Sequence, residues 1–243
     1  MLKISVRTRS ALALTAIAVS AAFLTACAPM EPNLVKVGRS DLQLPPGDWE
    51  RIDQGADALF NVMPDDVSHD LPMRTQAVGL RGPQSEMLAV IVVQTNATND
   101  PRDSTLWSHT CPDQKGVQVD DFAKGSPIRI DCLRFKRRAD NEEFLTKNRP
   151  VLEKWVKQHN AVPLAPYSHV SYRYATAEGG YLLVEALVDQ RLLRPKTVGT
   201  DQFLSAGKPA QEWLDNFVQA AKNSVAMLDG RFVVPPFPVP LPQ

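Results

Sequence analysis

The stretch "HVSYRYATAEGGYLLVEALVDQ", residues 169–190, limits the fold more than any other part of the chain. In its first half His169 and Ser171 alternate with Tyr172 and Tyr174, which therefore point to the opposite face. Such alternation is typical of a strand, and the two glycines in the middle suit a tight turn into the second half. Strands joined this closely pair antiparallel, so the sequence predicts an antiparallel hairpin.

Four further stretches predict strands before this hairpin. The run "DLQLPPGDWERI" reads as a strand that ends in a Pro-Pro-Gly turn, and "TQAVGL" and "MLAVIVVQT" read as a hairpin around "RGPQSE". Residues 88–93 are continuously apolar, which is typical of a central strand covered on both faces. In "PIRIDCLRF" the alternation places Ile128, Ile130, Cys132 and Arg134 on one side.

Two segments show helical periodicity. Apolar residues recur at spacings of three and four between Phe144 and Val156, and Pro150 favours the start of a second helix there. A longer helix opens at Pro209 with an apolar stripe, and Gly230 takes its C-cap position.

The order of these elements predicts the fold class. Adjacent strands with short connections, followed by helices, favour an α+β fold, in which one antiparallel β-sheet packs with two or three helices. We expect a single domain over residues 38–230, preceded by a tether at 27–37. Proline alternates with apolar residues in 231–243, which predicts a polyproline-like C-terminal tail.

The first 26 residues read as a targeting segment. Three basic residues, Lys3, Arg7 and Arg9, precede an apolar run from Ala11 to Leu24. This is the secretory pattern, and a run of about 14 residues is shorter than the roughly 20 that a transmembrane helix needs. A spanning helix is the weaker alternative.

The end of that run resembles a lipobox. Leu24-Thr25-Ala26-Cys27 is similar to the motif of bacterial lipoproteins, in which a leucine and two small residues precede an invariant cysteine. The resemblance implies that Cys27 carries a diacylglyceryl group and becomes the first residue after cleavage. Ordinary cleavage after Ala28 is the alternative, although Pro29 makes it a poor site.

Lipidation at Cys27 implies a location. Two or three acyl chains anchor a protein stably to a membrane surface, so the membrane is the first expected partner. Ala28, rather than Asp, follows Cys27. By resemblance to the enteric sorting rule, this favours the outer membrane, with the domain facing the periplasm.

Cys111 and Cys132 remain once Cys27 is assigned to lipid. In an oxidising compartment such a pair favours a disulfide, and their separation of 21 positions would close a loop worth roughly 3 kcal/mol. A zinc site that adds His109 to the two cysteines, or a catalytic thiol, stays open as an alternative. Neither has C-x-x-C spacing or a fourth ligand nearby.

The charge balance argues against nucleic acid as a partner. Lys plus Arg equals Asp plus Glu at 27 each, so the chain has no basic excess for phosphates. The sequence also contains no nucleophile elbow, no H-E-x-x-H and no P-loop. We therefore predict no catalytic residue, no cofactor and no metal.

Several weaker candidates have ordinary structural explanations. The acidic stretch "PDDVSHD" could bind a divalent cation, and the basic run "RFKRRAD" could contact lipid head groups or an acidic polymer. A solvated loop and exposed charge at a strand end explain them more simply. Trp49 and Trp107 could line a pocket, and Tyr172 with Tyr174 could form a ligand platform. Ser126 reads as a serine in a turn.

The domain as a whole resembles a known fold. Its opening strand, the P-P-G-x-W turn with Trp49 and its closing amphipathic helix are similar to the PsbP and Mog1-like fold of small envelope and lumenal lipoproteins. That resemblance implies a sheet flanked by helices and no catalytic residue. We expect a non-catalytic binding or assembly module whose partner is an envelope protein or the cell wall. A small-ligand carrier and an envelope enzyme are the alternatives.

Overall fold

A seven-stranded antiparallel sheet organises the chain. The computed structural model describes residues 33–60, 71–98, 107, 111–141, 143–205, 208–226 and 230–242. The strands of the large sheet, in spatial order, are β3 (Asp48–Ala56), β4 (Met73–Arg81), β5 (Met87–Asn96), β9 (Tyr181–Asp189), β8 (Tyr167–Ala175), β7 (Ile130–Lys136) and β6 (Gln118–Asp121). The predicted α+β class is confirmed.

Both predicted hairpins lie inside this sheet. β4 pairs with β5 and β8 pairs with β9, each antiparallel. Every residue of β5 is buried, as the apolar run at 88–93 predicts. Ile128 differs from its prediction, because it precedes β7 and is 41% exposed.

A second, three-stranded sheet joins the two ends of the described chain. It contains β1 (Leu34–Val37), β2 (Ser40–Gln43) and β10 (Arg231–Val233), and β10 pairs parallel with β2. The folded part therefore extends beyond the predicted bounds at 38 and 230. The sequence predicts a tether before residue 38 and a polyproline-like tail after residue 230. In the structure Val35, Val37 and Phe232 are buried, so both of these segments pack into the core.

Five helices complete the described part of the fold: α1 (Phe144–Asn148), α2 (Pro150–Gln158), α3 (Gln190–Leu193), α4 (Thr200–Ser205) and α5 (Pro209–Ala226). α2 begins at Pro150, as predicted. α5 is described as far as Ala226, and residues 227–229, on which the C-cap prediction for Gly230 depends, lie outside the described residues. Gly230 has a positive φ of 59° just before β10, and its carbonyl accepts a hydrogen bond from the Asp41 amide.

The core has a part on each face of the large sheet. On one face α5 packs Trp213, Leu214 and Phe217 against β-strand side chains and the small sheet. On the other face α1 and α2 cover a second cluster that includes Val90 and Val92 of β5. All of these clusters lie within Glu31–Gln243, which forms one compact unit. We therefore expect this unit to fold without the preceding residues.

Candidate functional site

A partly open cavity lies between the large sheet and the start of α5. Its volume is about 520 Å³, which is within the usual range for ligand sites. The lining is mostly apolar and comes from β6, β7, α4, α5 and the segment after α3; its members are Gln118, Phe135, Arg194, Pro195, Thr197, Leu204, Lys208, Pro209, Ala210, Gln211 and Leu214.

The apolar part of this lining differs in exposure from floor to rim. Leu214 of α5 is 1% exposed and belongs to the core, whereas Leu204 of α4 is 68% exposed. Phe135 of β7 packs against the same core cluster as Leu214. The apolar lining therefore extends from the buried Leu214 to the solvent-exposed Leu204. A ligand with a long apolar part could contact it along this whole length.

The charged residues in the described part of the lining are positive. Arg194 and Lys208 line the cavity, and no acidic residue of the described chain does. Neither makes an ion pair with a carboxylate of the described residues. Burial, and after it the charge of Arg137, lower the pKa of Arg194. Arg194 and the nearby Arg137 therefore repel each other, which favours an anion beside Arg194.

A hydrogen bond joins the two elements beside the cavity. Gln118 Nε2 of β6 donates to Gln211 Oε1 of α5 over 3.3 Å. Gln211 also donates to Asp215 Oδ1 on the next turn of the helix. These amides hold the start of α5 against the edge strand and offer polar groups near the cavity.

A buried polar cluster lies on the opposite face of the sheet. Ser171 of β8 is directly opposite Glu185 of β9, and its Oγ donates to Glu185 Oε1 over 2.9 Å. His169 Nε2 lies 2.5 Å from Glu185 Oε2. Arg149, between α1 and α2, approaches Glu185 Oε1 to 3.4 Å. One carboxylate is therefore the centre of the cluster.

The electrostatics keep this carboxylate ionised. Burial, the largest influence, would raise the pKa of Glu185, but the charges of Arg149 and His169 and the hydrogen bonds from His169 and Ser171 lower it to about 2. A buried carboxylate with such partners is fully charged at neutral pH.

The cluster lacks the arrangement of a nucleophilic triad. Ser171 donates to the carboxylate instead of to the imidazole, so His169 does not activate its hydroxyl. His169, Ser171 and Glu185 are also at most 4% exposed, which encloses them beneath the helices. The arrangement stabilises a buried charge and offers no open position for a substrate.

The disulfide loop contacts β7, the strand next to this polar cluster. Cys111 and Cys132 form the predicted disulfide, with 5.5 Å between their Cα atoms. The prediction is confirmed, and the bonded thiols leave no ligand for the alternative zinc site. Arg134 of β7, opposite Ser171, donates to Pro112 O and to Gln114 Oε1, both in the loop.

The predicted basic run divides in two. Lys136 follows Arg134 toward the loop and donates to Gly116 O over 2.9 Å. Arg134 and Lys136 bind the disulfide loop, whereas Arg137 and Arg138 are exposed after the strand. The four side chains therefore do not form one basic patch.

The aromatic candidates are structural. Trp49 donates from Nε1 to Pro45 O within its own turn, and Trp107, 6% exposed, donates to Thr176 O. Tyr172 is fully buried and stacks with Tyr174, with ring centroids 6.5 Å apart. None of the four side chains lines the 520 Å³ cavity. Ser126 lies in a turn, with its amide bonded to Ala123 O.

Some predicted sites lie outside the described residues. These are the leader at 1–26 with Cys27, the acidic stretch at 64–70 and His109. Among the residues that are described, no three His, Cys, Asp or Glu side chains form a group that could hold a metal ion. No helix in that same part of the chain is long and apolar enough to cross a membrane.

Comparison with known proteins gives no family. No family model, no curated protein and no solved structure matches the chain.

The sequence interpretation missed both groups of site residues. Arg194 and Lys208 come from segments with no recognisable motif, and only the fold brings them to one cavity. Glu185 did carry a signal, because a lone acid within the apolar run "YLLVEALV" must find partners when it is buried.

Proposed function

We propose that the protein is a lipid-anchored lipoprotein of the cell envelope and that its folded domain is a non-catalytic binding module. Its anchor is the lipidated Cys27, and its location is the outer membrane, facing the periplasm. The lipobox supports the anchor, and the disulfide between Cys111 and Cys132 supports an oxidising compartment.

The observation that carries the binding role is the 520 Å³ apolar cavity beside α5. A concave, mostly apolar site with a few polar groups is typical of a place where a ligand binds. Its position between sheet and helix favours a small ligand, so a carrier is the second candidate. The burial of His169, Ser171 and Glu185 weighs against an enzyme that uses them.

Membrane fractionation and mass spectrometry test the anchor. We expect the protein extracted from the envelope to begin at Cys27 and to carry the diacylglyceryl mass with an added acyl chain. Cys27→Ser should leave the membrane fraction. A mature chain that begins at another residue and carries no lipid would contradict this part of the proposal.

Binding of the neutral dye Nile red to residues 31–243 tests the cavity. We expect dye fluorescence to rise on binding and to fall in Leu204→Asp, because this exposed side chain lines the cavity. Val151→Asp is the matched control, since Val151 is 46% exposed on α2, on the opposite face of the sheet. Equal loss in both variants, or no binding by the wild type, would contradict a role for the cavity.

A further inference from the structure

The cavity beside α5 combines an apolar interior with a cationic side. Phe135 and Leu214 are packed into the core at its inner part, and the apolar Leu204 continues the lining outward. Such a lining removes water from an apolar chain along its length. Each methylene that leaves water here should tighten binding about fourfold.

The described lining of the same cavity carries charge of one sign. Arg194 and Lys208 belong to it, and no Asp or Glu of the described residues does. No carboxylate of the described chain neutralises either one. A guanidinium presents parallel N–H donors that match a carboxylate or a phosphate, and an ammonium adds a point charge.

We infer that the cavity binds a single-chain amphiphile with an anionic head, with the chain along Phe135, Leu204 and Leu214 and the head at Arg194 and Lys208. This inference rests on the proposed binding function and names its ligand class. A fatty acid and a lysophospholipid share this chemistry, since each joins one acyl chain to a carboxylate or phosphate.

Charge from Arg137 strengthens the preference for an anion. Arg137 follows β7 and acts electrostatically on Arg194, whose pKa falls with burial and with this neighbouring charge. An anionic head beside Arg194 offsets the repulsion between Arg194 and Arg137. A neutral head of the same size gains nothing from this arrangement, so head charge should separate ligands of equal chain length.

Displacement of Nile red from residues 31–243 by decanoate, decyl phosphate and decanol tests the inference. All three share the chain length, and they are used below the concentration at which micelles form. We expect both anions to displace the dye at concentrations about five- to thirtyfold lower than decanol does, which is the upper part of the range for one or two solvent-exposed charge pairs. The ratio between the two anions then shows whether a carboxylate or a phosphate fits better.

The double variant Arg194→Gln/Lys208→Gln should lose this preference, so that anions and decanol displace the dye equally. Arg51→Gln/Lys154→Gln is the matched control: it removes the same charge at two exposed positions, on β3 and α2, that do not line the cavity. The control should keep the wild-type preference. Equal loss in both variants would assign the effect to net charge and overturn the inference.

The two proposals fail in different ways. If decanol and the anions displace the dye equally from the wild type, the anionic ligand class is wrong and the apolar binding site stands. If none of the three displaces it, the proposed binding function fails as well. Lengthening decanoate by one methylene should tighten binding about fourfold, and no change would show that the chain is not buried in the cavity.

Discussion

His169 of β8 and Glu185 of β9 form a buried imidazole–carboxylate contact, with 2.5 Å between Nε2 and Oε2 and at most 2% of either side chain exposed. The contact links two neighbouring strands of the large sheet. Arg149 reaches the same carboxylate from the junction of α1 and α2. The cluster therefore fixes the helical layer to the sheet.

Glu185 should make stability depend on acid pH. Its pKa is about 2 in the folded protein against 4.5 as the ordinary value. A carboxyl with a lowered folded pKa stabilises the protein above 4.5, by roughly 3 kcal/mol, and loses that contribution as the pH falls from 4.5 toward 2. Urea unfolding at neutral pH and at several acid pH values measures this change.

Glu185→Gln separates this effect from that of other carboxyls. At neutral pH we expect it to lower the free energy of unfolding by about 3–5 kcal/mol, because it removes the buried charge that Arg149, His169 and Ser171 contact. The difference from wild type should shrink as the pH falls. Glu178→Gln, at an exposed turn position, is the control and should follow the wild type throughout. A pH-independent difference would contradict the buried charge at Glu185.

Reduction of the disulfide should loosen the loop between Cys111 and Cys132. Cys111–Cys132 closes 21 positions, and loss of such a link lowers the free energy of unfolding by roughly 3 kcal/mol. Thermal unfolding with and without reductant should show a lower Tm in reductant. Cys111→Ala/Cys132→Ala should have that lower Tm in both conditions. An unchanged wild-type Tm would contradict a stabilising role.

Local patterns were sufficient to predict much of the fold. The alternation from His169 onward and the two glycines after it specify the β8–β9 hairpin, because a strand period and a turn signal occur within one short stretch. The run at 88–93 is continuously apolar, and this local feature alone predicts that its strand is buried on both faces. Pro150 marks the start of α2, since proline is favoured in the first turn of a helix.

Other features depend on contacts between distant parts of the chain. β10 is three residues long and is followed by prolines, so nothing local distinguishes it from an extended tail. Its partner β2 lies near the other end of the described residues. Likewise, Arg149 and Glu185 are in contact only because α1 and α2 cover the sheet, and only the fold places Arg194 and Lys208 in the lining of one cavity. Local periodicity in a single sequence does not predict such contacts between residues far apart in the chain.

Asp131 should couple α5 to the large sheet. Its Oδ1 accepts a hydrogen bond from the Tyr172 hydroxyl over 3.0 Å, and its Oδ2 lies 2.8 Å from Lys222 Nζ. Burial and the charge of Asp131 raise the pKa of Tyr172, which keeps the hydroxyl protonated as a donor. Tyr172→Phe and Lys222→Met should each destabilise the fold by about 1–3 kcal/mol.

A double-mutant cycle tests this coupling. Because the two variants share one carboxylate, their effects on the free energy of unfolding should differ from additivity by about 0.5–3 kcal/mol. Tyr172→Phe combined with Lys154→Met is the control pair, since Lys154 lies on α2, away from Asp131. Additive effects for Tyr172 and Lys222 would show that Asp131 does not connect them.

The C-terminal strand should contribute to stability as a core element. Phe232 of β10 is 1% exposed, lies opposite Leu42 of β2 and meets Phe217 of α5 edge to face at 5.3 Å. Phe232→Ala should therefore lower the free energy of unfolding by about 3–5 kcal/mol, through lost burial and the cavity it leaves. Denaturant unfolding measures the loss.

Val233→Ala provides a matched control within the same strand. Val233 is 47% exposed and points away from the core. Apart from the lower strand propensity of alanine, its truncation should therefore change the free energy of unfolding by less than about 0.5 kcal/mol. A large difference between the two neighbouring variants places β10 in the folded domain, because alternate residues of a strand face opposite sides. Small and equal effects would instead fit a tail that does not pack, and would contradict the pairing of β10 with β2.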